Sequence, residues 1–143
     1  MKVSLLLILM LANSFIYAQE IPLLYEISNL NNSKGNIVVR VFNDQEGFEK
    51  DIPYKEKIIS KQENYMNGVV KAKMFLPKGT YGIAVVDDEN NNYDMDYNLL
   101  GMPKEGFGFS EYFHSGLKRP RFSDFSFRFN ENTGVIKIRL KYM

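Results

Sequence analysis

Period-two alternation of apolar and charged residues constrains this chain more than any other feature. Ile136, Ile138, Leu140 and Tyr142 alternate with Lys137, Arg139 and Lys141, so an extended backbone puts the first set on one face and the second on the other. Val70, Ala72, Met74 and Leu76 share a face opposite Lys71 and Lys73, and Ile37, Val39 and Val41 form another inward set. Phe125, Phe127 and Phe129 alternate with Ser126, Arg128 and Asn130, which predicts a further strand with three rings on its buried face. Tyr81-Gly-Ile-Ala-Val-Val86 is nearly continuous in apolar character, the pattern of a central strand covered on both sides. Weaker strand signals lie near 23–28 and 54–60, and residues 46–52 suit a single helical turn.

Turn chemistry separates these runs. Pro77-Lys78-Gly79 is expected to close a tight hairpin between strands 68–76 and 79–87, because proline presets one turn dihedral and glycine tolerates positive φ. Asn130 to Gly134 is expected to join the last two strands in the same way. The reading is an all-β fold, an antiparallel seven-stranded β-sandwich. Residues 88–123 carry no clear strand or helix, although uninterrupted connections longer than about 12–15 residues are uncommon and usually functional or disordered. Tyr93, Tyr97, Phe107, Phe109, Tyr112, Phe113 and Phe122 make this one too aromatic for disorder. It is expected to fold over the sandwich with Phe107 and Phe109 as anchors, and to hold the site if there is one.

Residues 1–18 have the layout of a secretory signal peptide: Lys2, an apolar run from Val3 to Leu11, and Tyr17-Ala18 before Gln19. The apolar run is short for a membrane span. The division expected is therefore a leader at 1–18 and one domain at 19–143, exported to the periplasm or beyond. Cleavage removes one lysine and no acid, which takes the formal charge from +1 to zero. A balanced chain has no long-range pull toward nucleic acid or anionic lipid. With no cysteine, an exported domain must rely on its core, aided at most by a metal.

Three motifs carry the resemblance of this chain to a family: Leu76-Pro-Lys-Gly-Thr-Tyr81, Val86-Asp-Asp-Glu-Asn90, and Asn98-Leu-Leu-Gly-Met-Pro-Lys-Glu-Gly-Phe-Gly-Phe-Ser110. Lys34-Gly35, Gly47-Phe48 and Pro120-Arg-Phe-Ser-Asp124 add to it. Together they resemble the domain-of-unknown-function family numbered 2141, small exported bacterial proteins. The resemblance implies a transthyretin-like or carboxypeptidase-regulatory-like (Ig-like) sandwich and no assigned activity. The family pattern has glycine where this chain has Asn91 and Tyr93. Tyrosine rarely adopts left-handed backbone angles, so the sharp family turn is not expected here.

Asp88, Asn90, Asn92, Asp94 and Asp96 occupy positions 1, 3, 5, 7 and 9 of a calcium-loop pattern. Position 6, usually glycine, is Tyr93, and position 12, usually a bidentate acid, is Leu99; Glu105 could supply a carboxylate by folding back. The expectation is a weak oxygen-only Ca²⁺ site, preferred over Mg²⁺, set against a solvated Asn/Asp turn. His114 with Ser110 or Ser115 and Asp124 can be drawn as a hydrolase triad, but neither serine lies in a nucleophile elbow. The Gly101–Phe109 segment lacks a phosphate-loop ending, and the Lys118-Arg119-Pro120-Arg121 cluster reads as a solvated rim. The functional expectation is a non-enzymatic binding or accessory module. Its partner would be an envelope protein or, alternatively, a glycan stacked on Tyr93, Tyr97 and Tyr112.

Overall fold

The computed structural model describes residues 17–143. Of the expected leader only Tyr17 and Ala18 fall within that range; the rest lies outside the described residues. Among the described residues nine strands form two sheets: β1 (Glu20–Ser28), β2 (Asn36–Phe42), β3 (Lys55–Ser60), β4 (Tyr65–Met66), β5 (Val69–Pro77), β6 (Gly79–Asp88), β7 (Gly106–Phe109), β8 (Ser126–Phe129) and β9 (Ile136–Arg139). Short helices α1 (Gln45–Glu49), α2 (Lys61–Asn64) and α3 (Phe122–Phe125) lie between them. The four-stranded sheet runs β4-β5-β1-β9 and the five-stranded sheet runs β3-β2-β6-β7, with β8 also paired to β6. No described helix is long and apolar enough to cross a membrane.

The sandwich expected from the alternation is present, with three corrections. The count is nine strands rather than seven, because β4 is very short and β7 lies inside the segment read as structureless. The expected hairpins are arches. β5 pairs with β1 and β4 while β6 pairs with β2, β7 and β8, so the Pro77–Gly79 turn crosses from one sheet to the other. The Asn130–Gly134 turn crosses back, from β8 on β6 to β9 on β1. Alternation identifies a buried face, and two such faces can meet across a core as readily as side by side. The third correction is that β9 joins β1 in parallel, Tyr25 opposite Ile136.

The core between the sheets takes Leu23, Tyr25 and Ile27 from β1, Val39 and Val41 from β2, Val70 and Leu76 from β5, and Ile83 and Val85 from β6. Its two open sides are closed differently. Along one, the Lys55 and Lys57 ammoniums of β3 donate to the Phe75 and Lys73 carbonyls of β5 at 2.6 and 2.7 Å. Along the other, Phe107 and Lys141 exchange both backbone hydrogen bonds at 3.0 and 2.8 Å, which stitches β7 to the tail following β9. Glycine is required at this seam, since a Cβ on Gly108 would sit 2.8 Å from the Arg139 carbonyl oxygen.

A second cluster covers the outer face of the five-stranded sheet. Phe42, Phe48, Phe107, Phe109 and Phe125 are buried there, with Ala84, Met95, Tyr112 and Phe122 packed against them. This accounts for the apolar character of both faces of β2 and β6. Phe125 therefore does not share a face with Phe127 and Phe129 as the spacing predicted: it belongs to α3, and the helical turn rotates it outward.

Candidate functional site

Residues Asp88 to Glu105 build a tight polar turn at the end of β6. The buried Asp88 carboxylate accepts the backbone N–H groups of Asn92 and Tyr93 at 3.1 and 3.0 Å. Asn90 and Asn92 accept in turn from the N–H groups of Asn92 and Asp94, both at 3.1 Å. Their side-chain amides donate to Asp96 at 2.5 and 3.0 Å. Asp94 accepts from the Met95 N–H at 2.9 Å and lies 3.7 Å from the Arg40 guanidinium. All five predicted loop residues thus enter one network, most of whose oxygens accept from N–H groups of the same turn.

Glu105 does fold back, its Oε2 accepting the Asp96 N–H at 3.2 Å. Its Oε1 is out of water without a hydrogen-bond partner. Burial, then the charges of Asp96 and Asp88, push the Glu105 carboxyl above its ordinary range. Leu99, at position 12 of the calcium pattern, is fully exposed at the tip of the flap.

Between this flap and the outer face of the five-stranded sheet lies a cavity of about 320 Å³. Phe42, Ala84, Phe107 and Phe109 form its floor, and Met95, Tyr97, Pro103 and Leu117 wall it. Arg40 and Asp94 stand on one side, and His114 and Arg119 also line it. His114 is 9% exposed and packs among Phe107, Phe109 and Tyr112, with ring centroids 6.3, 6.1 and 5.9 Å away. Its Nδ1 is buried and has no hydrogen-bond partner. Sequence reading missed this cavity because its lining comes from β2, β6, β7 and three separate connections. The available signal was the apolar outer face of β2 and β6.

Residues 26–137 match the family described as "Uncharacterized protein conserved in bacteria (DUF2141)". The chain belongs to the DUF2141 family. No curated protein and no solved structure matches it. The match spans most of the sandwich, the polar turn and the flap over the cavity.

The sharp turn that the DUF2141 resemblance associates with glycine forms here without it. Asn91 and Tyr93 both hold left-handed angles, φ 58° and 63°; asparagine tolerates this region, whereas the Tyr93 angle corrects the expectation drawn from its identity. The local network supplies the reason: Asp88 fixes the Tyr93 N–H, and Arg40 donates to the Tyr93 carbonyl at 2.8 Å.

The three tyrosines proposed for stacking are placed differently from one another. Tyr93 and Tyr97 are exposed, Tyr97 at the cavity wall, while Tyr112 is half-buried against the phenylalanine cluster. The residues of the paper triad have separate tasks. Ser110 is fully buried; its hydroxyl accepts the Ile83 N–H at 2.9 Å and donates to the Phe125 carbonyl at 2.7 Å, filling the step between β7 and β8 along β6. Asp124 accepts the Arg121 N–H at 2.8 Å and caps α3.

Proposed function

We propose that this DUF2141 protein is an exported, non-enzymatic binding module whose ligand seat is the cavity under the 88–123 flap. The observation that carries this is an aromatic-floored, half-open cavity of about 320 Å³ that the flap borders without filling, at the lower end of the size range of small-molecule sites. The reading is tested by titrating the protein with octanamide while following the methyl signals of Met95, Ala84 and Met143, which line the cavity. Saturable shifts at these methyls, lost in an Ala84→Leu variant that fills the floor, are the expected result. No shift up to the solubility of the probe would sink it. A glycan that instead perturbs Tyr93 and leaves the cavity methyls still would favour the carbohydrate reading.

A weak Ca²⁺ site in the polar turn is the second reading, supported by the return of Glu105 with one buried oxygen unpartnered. Among the described residues no three acids or histidines are grouped closely enough to hold a metal ion by themselves. Calcium would therefore need Asn90 and Asn92 to turn their oxygens away from present donors, which keeps affinity low, on the order of 10⁻⁴–10⁻³ M. Melting in millimolar calcium and in chelator decides it: a rise lost in Asp88→Ala with Asp96→Ala supports the site, and equal temperatures dismiss it.

Export rests on the leader pattern of residues 1–18. β1 begins at Glu20, so cleavage after Ala18 would leave every strand intact. An intact mass corresponding to Gln19 at the N-terminus is expected of the native protein; retained Met1 in the membrane fraction would overturn export.

A further inference from the structure

Resting on the cavity reading above, we propose that the ligand is a small apolar molecule bearing a carboxylate, its body on the phenylalanine floor and its carboxylate against Arg119. The charges around the cavity are unevenly satisfied. Arg40 is bound by three acids, Glu56 at 2.8 Å, Asp51 at 3.4 Å and Asp94 at 3.7 Å. Both acids lining the cavity are thus tied to Arg40, but three carboxylates on one guanidinium leave this wall net negative, so an anionic group is directed to the opposite side.

Arg119 is in the opposite condition. Its guanidinium lies over the Phe48 ring, 4.2 Å from the centroid, and one amino group donates to the Phe48 carbonyl at 2.6 Å. No described carboxylate comes within ion-pair distance of Arg119 or of the neighbouring Lys118, whereas Arg121 is paired with Asp124 at 3.6 Å. The stacking and the carbonyl hold the guanidinium plane in place while its remaining N–H groups stay available. An oriented planar fork with no counter-ion matches a carboxylate, which it can bind by two parallel hydrogen bonds. His114, buried in the lining with Nδ1 unpartnered, adds a second polar group with an unmet hydrogen bond. Apart from the Tyr97 hydroxyl, the remaining lining side chains are aromatic, aliphatic and thioether, which suits an apolar body.

Volume limits the body. A cavity near 320 Å³ suits a short aliphatic or single-ring acid better than a long lipid chain. The two sources share the same recognition chemistry, so both are tested.

The full chain is titrated with octanoate, 3-phenylpropionate and octanamide, following the same cavity methyls. Octanoate is expected to bind at least about tenfold tighter than octanamide, the ratio expected of a charge-assisted hydrogen bond. Arg119→Gln should bring that ratio to within about twofold, and Arg119→Lys should keep part of it; melting curves verify that both variants fold. The tighter of the two acids identifies an aliphatic or an aromatic body. Equal binding of octanoate and octanamide, or an unchanged preference in Arg119→Gln, overturns the carboxylate inference and leaves the cavity standing. Failure of all three probes overturns the cavity reading itself.

Discussion

Tyr93 holds a left-handed backbone at φ 63°, a conformation that costs a non-glycine residue about 1–2 kcal/mol. The cost is met by neighbours rather than by the residue, since Asp88 and Arg40 anchor its N–H and C=O. Glycine would remove the strain and reintroduce some chain entropy. Tyr93→Gly is therefore expected to raise stability by roughly 0.5–1 kcal/mol, measured by urea unfolding; a loss of stability would mean that the tyrosine ring itself holds the turn. Nothing in a one-dimensional reading could foresee this, because Arg40 lies on a strand far away in the sequence. The return of Glu105 was legible only as a possibility for the same reason. Its carboxyl is pushed upward chiefly by burial, with Asp96 and Asp88 adding to the effect. A raised folded-state value means that the fold binds this proton more tightly than the unfolded chain does. Stability is accordingly lost as pH rises from the unfolded value, about 4.3, through the folded one. Glu105→Gln should melt higher than the parent at pH 7, and the gap should close as pH falls below about 4. A gap that persists at low pH would place the effect in packing rather than charge.

At the scale of elements, alternation was a reliable guide to faces and a poor guide to neighbours. Val70, Met74 and Leu76 do point into the core, and Lys71 and Lys73 do not. Yet β5 and β6, adjacent in sequence, face each other across that core. Strand β7 was harder to see. Gly-Phe-Gly-Phe has the required alternation, but its glycine face is invisible to a search for polar residues. That face must be bare: a Cβ on Gly106 would lie 2.5 Å from the Tyr142 ring. The opposite face carries Phe107 and Phe109, each 8% exposed, in the outer aromatic cluster. Phe109 meets Phe48, Phe107 and Phe125 with centroids 6.2, 6.1 and 5.0 Å away. Phe109→Ala is expected to cost about 3–5 kcal/mol, read from the shift in urea midpoint. The same variant should weaken octanamide binding, since Phe109 is part of the cavity floor. A parent-like midpoint would mean that β7 is held by its backbone alone.

Over the whole molecule, the sheets are tied together by one buried polar group that the apolar pattern of β6 does not announce. Asp87 points inward at the end of the core, fully buried. Its carboxylate lies 2.5 Å from the Lys61 ammonium, also fully buried, and accepts the Tyr142 hydroxyl at 2.5 Å. Lys61 follows β3 in the five-stranded sheet, and Tyr142 follows β9 in the other, so the group spans both layers and the tail of the chain. Burial holds the Asp87 carboxyl above its ordinary range, while Lys61 and Tyr142 pull it back down. Such a pair adds little net stability compared with apolar residues of the same shape, but removing one partner strands a charge and costs about 3–5 kcal/mol. That is a large part of the roughly 5–15 kcal/mol by which domains are stable. Lys61→Met should therefore lower the urea midpoint sharply at pH 7 with the slope unchanged, because both sheets still unfold together. Without Lys61 the Asp87 value must rise further, so the variant should regain stability as pH falls and the carboxyl takes up a proton in the fold. Adding Asp87→Leu to Lys61→Met should recover most of the loss at neutral pH, since no buried charge is then left alone. If Lys61→Met instead unfolds within about 1 kcal/mol of the parent and follows the parent's pH profile, the Lys61–Asp87 pair contributes little, and the sheets are joined by packing, by the Lys55 and Lys57 bonds to β5 and by the Phe107–Lys141 seam.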